Sequence, residues 1–347
     1  MRLKASLAVL LLVLALLGSL ASGEGTRATP LTEYEMLRLL PPGRLDALIG
    51  GVPDSQGLTG GNSGNGGWLE AGGQRGACRQ VIAAVVAGDL ARADNAWRGI
   101  DTAFAHQLPS GGFEATMRAN GESAKPFPAA VETAFFFLQE LGRAILVIQE
   151  SPYEAHFHDR IVAVKPKMRL ACAFILSGYD TIIAGSTKAV NRIFIAAKAF
   201  GLCGKVLDDP ELIATSHRLV RHALTRRDTD GVFIEMGGRD SSYNVVSILM
   251  GEILALHVPM PELDGAFEKA EAWELTRILP SGEIDVSANT RTGVNKEFSY
   301  TGEPKHVNTG EIVQALEFYG LIHGDTQALA AADRVFAAMN RPRAEAR

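Results

Sequence analysis

Apolar residues recur at three- and four-residue spacing through most of the chain from Cys78 onward, in blocks separated by short polar, glycine- or proline-containing breaks. That period belongs to one face of an α-helix. It predicts helices at about 78–88, 90–107, 127–149, 155–178, 187–204, 208–226, 241–257, 262–279, 309–322 and 325–340. Almost nothing reads as a long strand, so the expected class is all-α. Ahead of these blocks, Leu31 to Leu40 reads as a short helix stopped by Pro41 and Pro42. Residues 50–76 are rich in glycine and predict a long loop, either a solvated connector or a segment wrapped over a site. Trp68 in that loop is a candidate sugar-stacking platform.

A short motif repeats between some of the helices. Gln107 to Phe113, Arg227 to Phe233 and Ile278 to Ile284 each carry a Ser-Gly or Asp-Gly dipeptide after a helical block, with an apolar residue two places past the glycine. Glycine accepts the positive φ that reverses the chain, and the apolar residue tucks back onto the helix pair. Gly111 and Gly231 are separated by a little over twice the interval between Gly231 and Gly282, which leaves room for one hairpin without the turn. A hairpin every roughly 50 to 60 residues is what an α/α toroid needs, so the expectation is a closed or incomplete barrel of about five to seven hairpins. The apolar helices, such as Ala129 to Ile148 and Val245 to Leu256, would converge on its axis.

Composition narrows function more than fold. The chain has 347 residues, 47% apolar and 21% charged, with a net charge of −5. This is globular, and it offers no global field for a polyanion, so no nucleic acid is expected and any anion must meet a local basic cluster. Residues 1–23 have the basic start, short apolar run from Ala8 to Leu17 and small-residue end of a secretory signal, too short to span a bilayer. The expectation is a periplasmic or secreted protein without a stable membrane anchor, with residues 24–347 as one toroid domain. Cys78, Cys172 and Cys203 form no disulfide framework; Cys172 and Cys203 would pair only if their helices face each other, and otherwise all three are buried thiols. No Cys or His spacing makes a zinc site, and no metal or cofactor is expected.

The chemically densest stretch runs from Asp230 to His257. It begins as the repeat turn, breaks at Gly237 and Gly238, and becomes an apolar helix whose first turn carries Arg239, Asp240 and Tyr243. Two other segments are similar in kind: Ser186 to Gly204, a helix opened by Asn191 and Arg192, and the basic stretch Asn289 to Lys296 with Lys305 to Asn308. In these three places the chain resembles exported helical-toroid polysaccharide lyases, the alginate lyase type in particular, and more loosely the six-hairpin glycosidases. Arg192 stands where the lyase type has histidine, and the spacing from Arg239 to Tyr243 is shorter than in that type. The resemblance implies an acidic polysaccharide or oligosaccharide as partner and β-elimination as the reaction.

Elimination at a uronate needs a group to neutralise the carboxylate, a base for the C5 proton and an acid for the O4 leaving group. Asn191, Lys188 and Arg192 share a helix face and can form the neutralising set, or else simply solvate a helix end. Tyr243 is the candidate base, acid or both; a first-turn position beside Arg239 predicts a phenol pulled below its usual value near 10. Against this, Arg239 can merely pair with Asp240, an ordinary N-cap. His156 and His158 are further base candidates, although two residues apart they point to different faces of a helix. Arg291 suits a planar carboxylate at a neighbouring subsite, with Lys305, Lys296 and His306 near it in sequence. A hydrolase on the same toroid would use two carboxylates, from Glu132, Asp230, Glu235 and Asp240. A third reading is a non-catalytic glycan-binding toroid.

Overall fold

The computed structural model describes residues 31–119, 121, 123–185, 189–293, 296–298 and 304–341. The signal at 1–23 and Lys188 lie outside the described residues. Three short helices, α1 (Glu33–Leu39), α2 (Arg44–Leu48) and α3 (Gly60–Gly64), come first. Five hairpins then follow: α4 and α5 (Arg75–Ala87, Leu90–Ala105), α6 and α7 (Phe127–Glu150, Glu154–Ser177), α9 and α10 (Val190–Leu207, Pro210–Leu224), α11 and α12 (Ser241–His257, Glu268–Arg277), and α13 and α14 (Thr309–His323, Thr326–Met339). A short α8 (Tyr179–Gly185) precedes α9. The chain is all-α, and the hairpins form an α/α toroid.

The first helix of each hairpin is the inner one. α4 packs on α6, α6 on α9, α9 on α11 and α11 on α13, while the second helix of each pair lies outside it. α6, α9, α11 and α13 are buried along most of their length, as their apolar circumference demands, whereas α5 and α10 bury one stripe. The ring is drawn together at its seam by Arg79 of α4 and Glu311 of α13, 3.9 Å apart.

Connections are unequal in a regular way. Inner-to-outer links such as 88–89, 151–153, 208–209 and 324–325 are short, and those from outer to next inner helix, 106–126, 178–189, 225–240 and 278–308, are long. Local chemistry sets the short ones. Asp209 caps α10, with Pro210 in its first turn, and Asp325 caps α14. Three long links open with the repeated turn, each closed by a bridge: Gln107 with Phe113, Arg227 with Phe233, Ile278 with Ile284. At Gly111 and Gly282, φ is 91° and 83°, and a Cβ would collide with the carbonyls of Leu170 and Arg334. The hairpin without the turn is α6 and α7, where the sequence leaves room for one. The predicted helix at 262–279 is shortened to α12 because Pro261–Leu263 forms a separate single turn and Gly265 takes a φ of 66°.

α1 packs against α4, α6 and α11 at the opposite end of the ring from their first turns. Its Glu33 is fully buried between Arg143 of α6 (2.6 Å) and His257 of α11 (2.7 Å), and His257 also meets Glu150 (3.1 Å). The glycine-rich segment is wrapped over the first hairpin. Asn62 accepts from the amides of Leu69 and Glu70, and Gln74 donates to the carbonyls of Gly57 and Gly99. Trp68 is a correction to the sequence reading: it is buried, its ring stacks on His106 at 4.1 Å and its indole N–H donates to the carbonyl of Glu114. The ring therefore packs the loop down and offers no face to a sugar. Cys78, Cys172 and Cys203 are free and buried. Among the described residues no helix is long and apolar enough to cross a membrane.

Candidate functional site

A cavity of about 220 Å³ opens at the end of the ring where inner helices begin. α4 contributes Arg75 and Arg79, α9 contributes Asn191 and Arg192, α11 contributes Tyr243, and α13 contributes Glu311 and its N-cap Asn308; α6 offers Phe136 and Gln139 from its middle. Four inner helices thus begin around one space and turn their positive dipole ends toward it. The loop before α13 adds Arg291 and Lys305. Among the described residues five cations and one carboxylate, Glu311, line the space, although four of the cations also meet carboxylates set behind the lining.

Asp240 fixes the geometry. Its carboxylate caps α11 through the Ser242 amide and also accepts from the amides of Arg291 and Thr292, both at 2.8 Å. Asn289 reinforces this by accepting from the amide of Ser241. The loop is thereby stitched to the start of α11, and the Arg291 guanidinium lies over the Tyr243 ring, 3.8 Å from its centroid. Arg291 also pairs with Glu235 (2.9 Å) and Glu297 (2.8 Å), and Lys305 with Glu297 (2.7 Å).

Glu235 is fully buried; its other oxygen accepts from the backbone amide of Asn191 at 2.9 Å. Burial pushes its carboxyl up to about 7, against the opposing pull of the Asn191 amide and Arg291. Burial likewise pushes the Tyr243 phenol up to about 12, with Arg291 pulling the other way and Glu297 adding to the rise. This overturns the expected lowering. The first-turn dipole and one stacked cation do not outweigh the desolvation of a phenolate among acidic neighbours.

Sequence-nominated residues divide into two groups. Asn191, Arg192, Tyr243, Arg291 and Lys305 share the cavity. Arg239 does not line it: its guanidinium is held by Asp228 (2.6 Å) and Asp230, both in the repeat turn, and sits 5.8 Å from the Trp273 ring. His156 and His158 are on the outer helix α7, where His156 bonds to Asp94 at 2.9 Å and His158 is exposed. An outer helix cannot deliver them to the ring axis. Of the carboxylates nominated for a hydrolase, Asp230 is bound to Arg239, Asp240 is the cap just described, and Glu132 pairs with Arg192 at 3.0 Å.

Sequence reading missed Arg75, Arg79, Gln139, Asn308 and Glu311. A signal for the first two was present: cations are disfavoured in the first turns of a helix, so two arginines one turn apart at the start of α4 mark a place where an anion would relieve the conflict. Beneath the cavity, Lys198 is fully buried and donates to Gln139 at 2.6 Å. Burial lowers its ammonium to about 8, while Glu140 pulls it upward. Among the described residues no group of three or more His, Cys, Asp or Glu side chains is placed to hold a metal ion.

No family model matches the chain, and no curated protein matches it. Among solved structures it is similar to an unsaturated glucuronyl hydrolase from Bacillus sp. GL1, described as responsible for the degradation of glycosaminoglycan. That similarity is at 15% identity with a TM-score of 0.49, over 74% of this chain and 75% of that one. A protein from Actinoplanes is similar at 14% identity with a TM-score of 0.46, over 86% and 80%. At these values the likenesses carry no argument about chemistry, and the site has to speak for itself.

Proposed function

We propose that this chain is an exported polysaccharide lyase that binds a uronic-acid-containing glycan in the cation-lined cavity and cleaves it by β-elimination. The observation that carries the reading is the convergence of five cations and four helix N-termini on a space that also holds Tyr243 and Asn191. The cations would neutralise the uronate carboxylate and so acidify the proton at C5. Glu311, the one carboxylate among the described lining residues, would take that proton. As the C4–O4 bond breaks, Tyr243, held as a neutral phenol, would donate its proton to O4 and leave a C4=C5 double bond.

The hydrolase reading has less support. Glycoside hydrolysis uses a pair of carboxylates across the scissile bond, and the described lining supplies one. Ultraviolet absorbance separates the two. Incubation with alginate, glucuronan or a related polyuronate should generate an absorbing unsaturated end; saturated reducing products, or consumption of the chromophore of an unsaturated uronyl oligosaccharide, would sink the lyase reading in favour of hydrolysis. Tight oligosaccharide binding without turnover would leave a glycan-binding toroid.

A further inference from the structure

Four of the five cavity cations already have carboxylate partners: Arg79 with Glu140, Arg192 with Glu132, Arg291 with Glu235 and Glu297, and Lys305 with Glu297. Arg75 has no ion-pair partner among the described residues; its guanidinium lies 5.2 Å from the centroid of the Phe136 ring. Two further groups on the same lining are buried and without a hydrogen-bond partner among the described residues, the Nε of Arg79 and the Oδ1 of Asn191. Arg75 and Arg79 are four apart on α4 and so share a face. A half-buried guanidinium in the first turn of a helix, where the dipole disfavours a cation, gains from meeting an anion.

We infer that Arg75 and Arg79 form the carboxylate anchor of the site, taking one uronate carboxylate in a planar fork while a ring hydroxyl of the same sugar donates to Asn191 Oδ1. This rests on the uronate reading of the cavity and makes it more specific. A guanidinium without an ion-pair partner asks its ligand for an anionic group, so the sugar must carry a free carboxylate, and an amide or ester in its place loses the charge-assisted pair. A cavity of about 220 Å³ is small beside the roughly 300–1,000 Å³ of pockets for drug-sized ligands, which suits one sugar ring. Glu311, near Arg79, is then beside C5, the carbon that bears the anchored carboxylate. Arg291 is left to hold Tyr243.

Calorimetric titration of the Tyr243→Phe protein with D-glucuronate, D-glucuronamide and D-glucose tests the anchor without turnover. Glucuronate should bind roughly tenfold or more tightly than the other two. Arg75→Gln should erase that preference, Arg75→Lys should restore part of it, and Arg239→Gln, outside the cavity, should leave it intact, with melting curves confirming that each variant is folded. A preference that survives Arg75→Gln, or no binding of glucuronate at all, overturns the inference. An Arg75-dependent preference in a protein that yields no unsaturated product from polyuronates leaves the anchor standing and removes the elimination reading. Unsaturated product with kcat/KM unchanged by Arg75→Gln does the reverse.

Discussion

Arg291 lies face-on to Tyr243, its guanidinium 3.8 Å from the ring centroid, and the two are brought together by one carboxylate, Asp240, which caps the helix of the tyrosine and grips the backbone of the arginine. Position and electrostatics are therefore set by the same residue.

Tyr243→Phe should lower the rate of formation of unsaturated product by roughly 10²- to 10⁴-fold, the range for loss of a proton-transfer group, with an unchanged melting curve. Retention of full activity would remove Tyr243 from the chemistry.

Arg291→Lys keeps the charge but loses the planar fork that pairs with Glu235 and Glu297 and stacks on the ring. The expected outcome is a loss of activity larger than that from Lys305→Arg, read as kcat/KM on the same polyuronate. Equal effects would show that only charge matters there.

Glu271 is buried on α12 with both oxygens unpaired among the described residues, and burial, reinforced by Asp325 and Glu252, raises its carboxyl to about 8. A carboxyl raised on folding contributes stability that is fully present below its unfolded value near 4.5 and is lost as pH rises through the folded value. Glu271→Gln should therefore stabilise the protein at pH 8.5 by on the order of 2 kcal/mol and do little at pH 4. Denaturant titrations at the two pH values check this.

Glu33→Gln should cost about 3–5 kcal/mol, because it leaves Arg143 buried without its main counter-charge. His257, which burial pulls down but Glu150 and Glu33 raise to about 9, adds a pH signature. Its contribution is complete below its unfolded value near 6.5 and fades as pH rises through 9. The variant should flatten that alkaline loss; an unchanged slope would separate His257 from Glu33.

Helix periodicity and the repeated Ser-Gly and Asp-Gly turns were enough to read the toroid, because inner helices are apolar all round and positive-φ glycines are written in the sequence. The site was half legible. Asn191, Tyr243 and Arg291 stood out as polar residues at helix or loop starts. Arg239 stood out for the same reason, yet it is held by Asp228 and Asp230, a pairing that depends on how the repeat turn folds back. Trp68 and the α7 histidines have chemistry suited to a site, but only the packing shows a stacked indole and an outer helix. Glu235 and Lys198 take their character from burial, which no local pattern displays.

Short links at one end of the ring and long ones at the other divide the molecule into two independent jobs. The tight end, with its aspartate caps and the α1 plug, tolerates little change because it sets how the hairpins assemble. The loose end carries the links that reach the cavity, and there the stretches not bonded to a helix, unlike Asn289 to Thr292, can change length or charge with least effect on the barrel beneath. Such a scaffold can acquire a new glycan preference by editing loops alone, and a library confined to those links would search specificity while holding foldability constant.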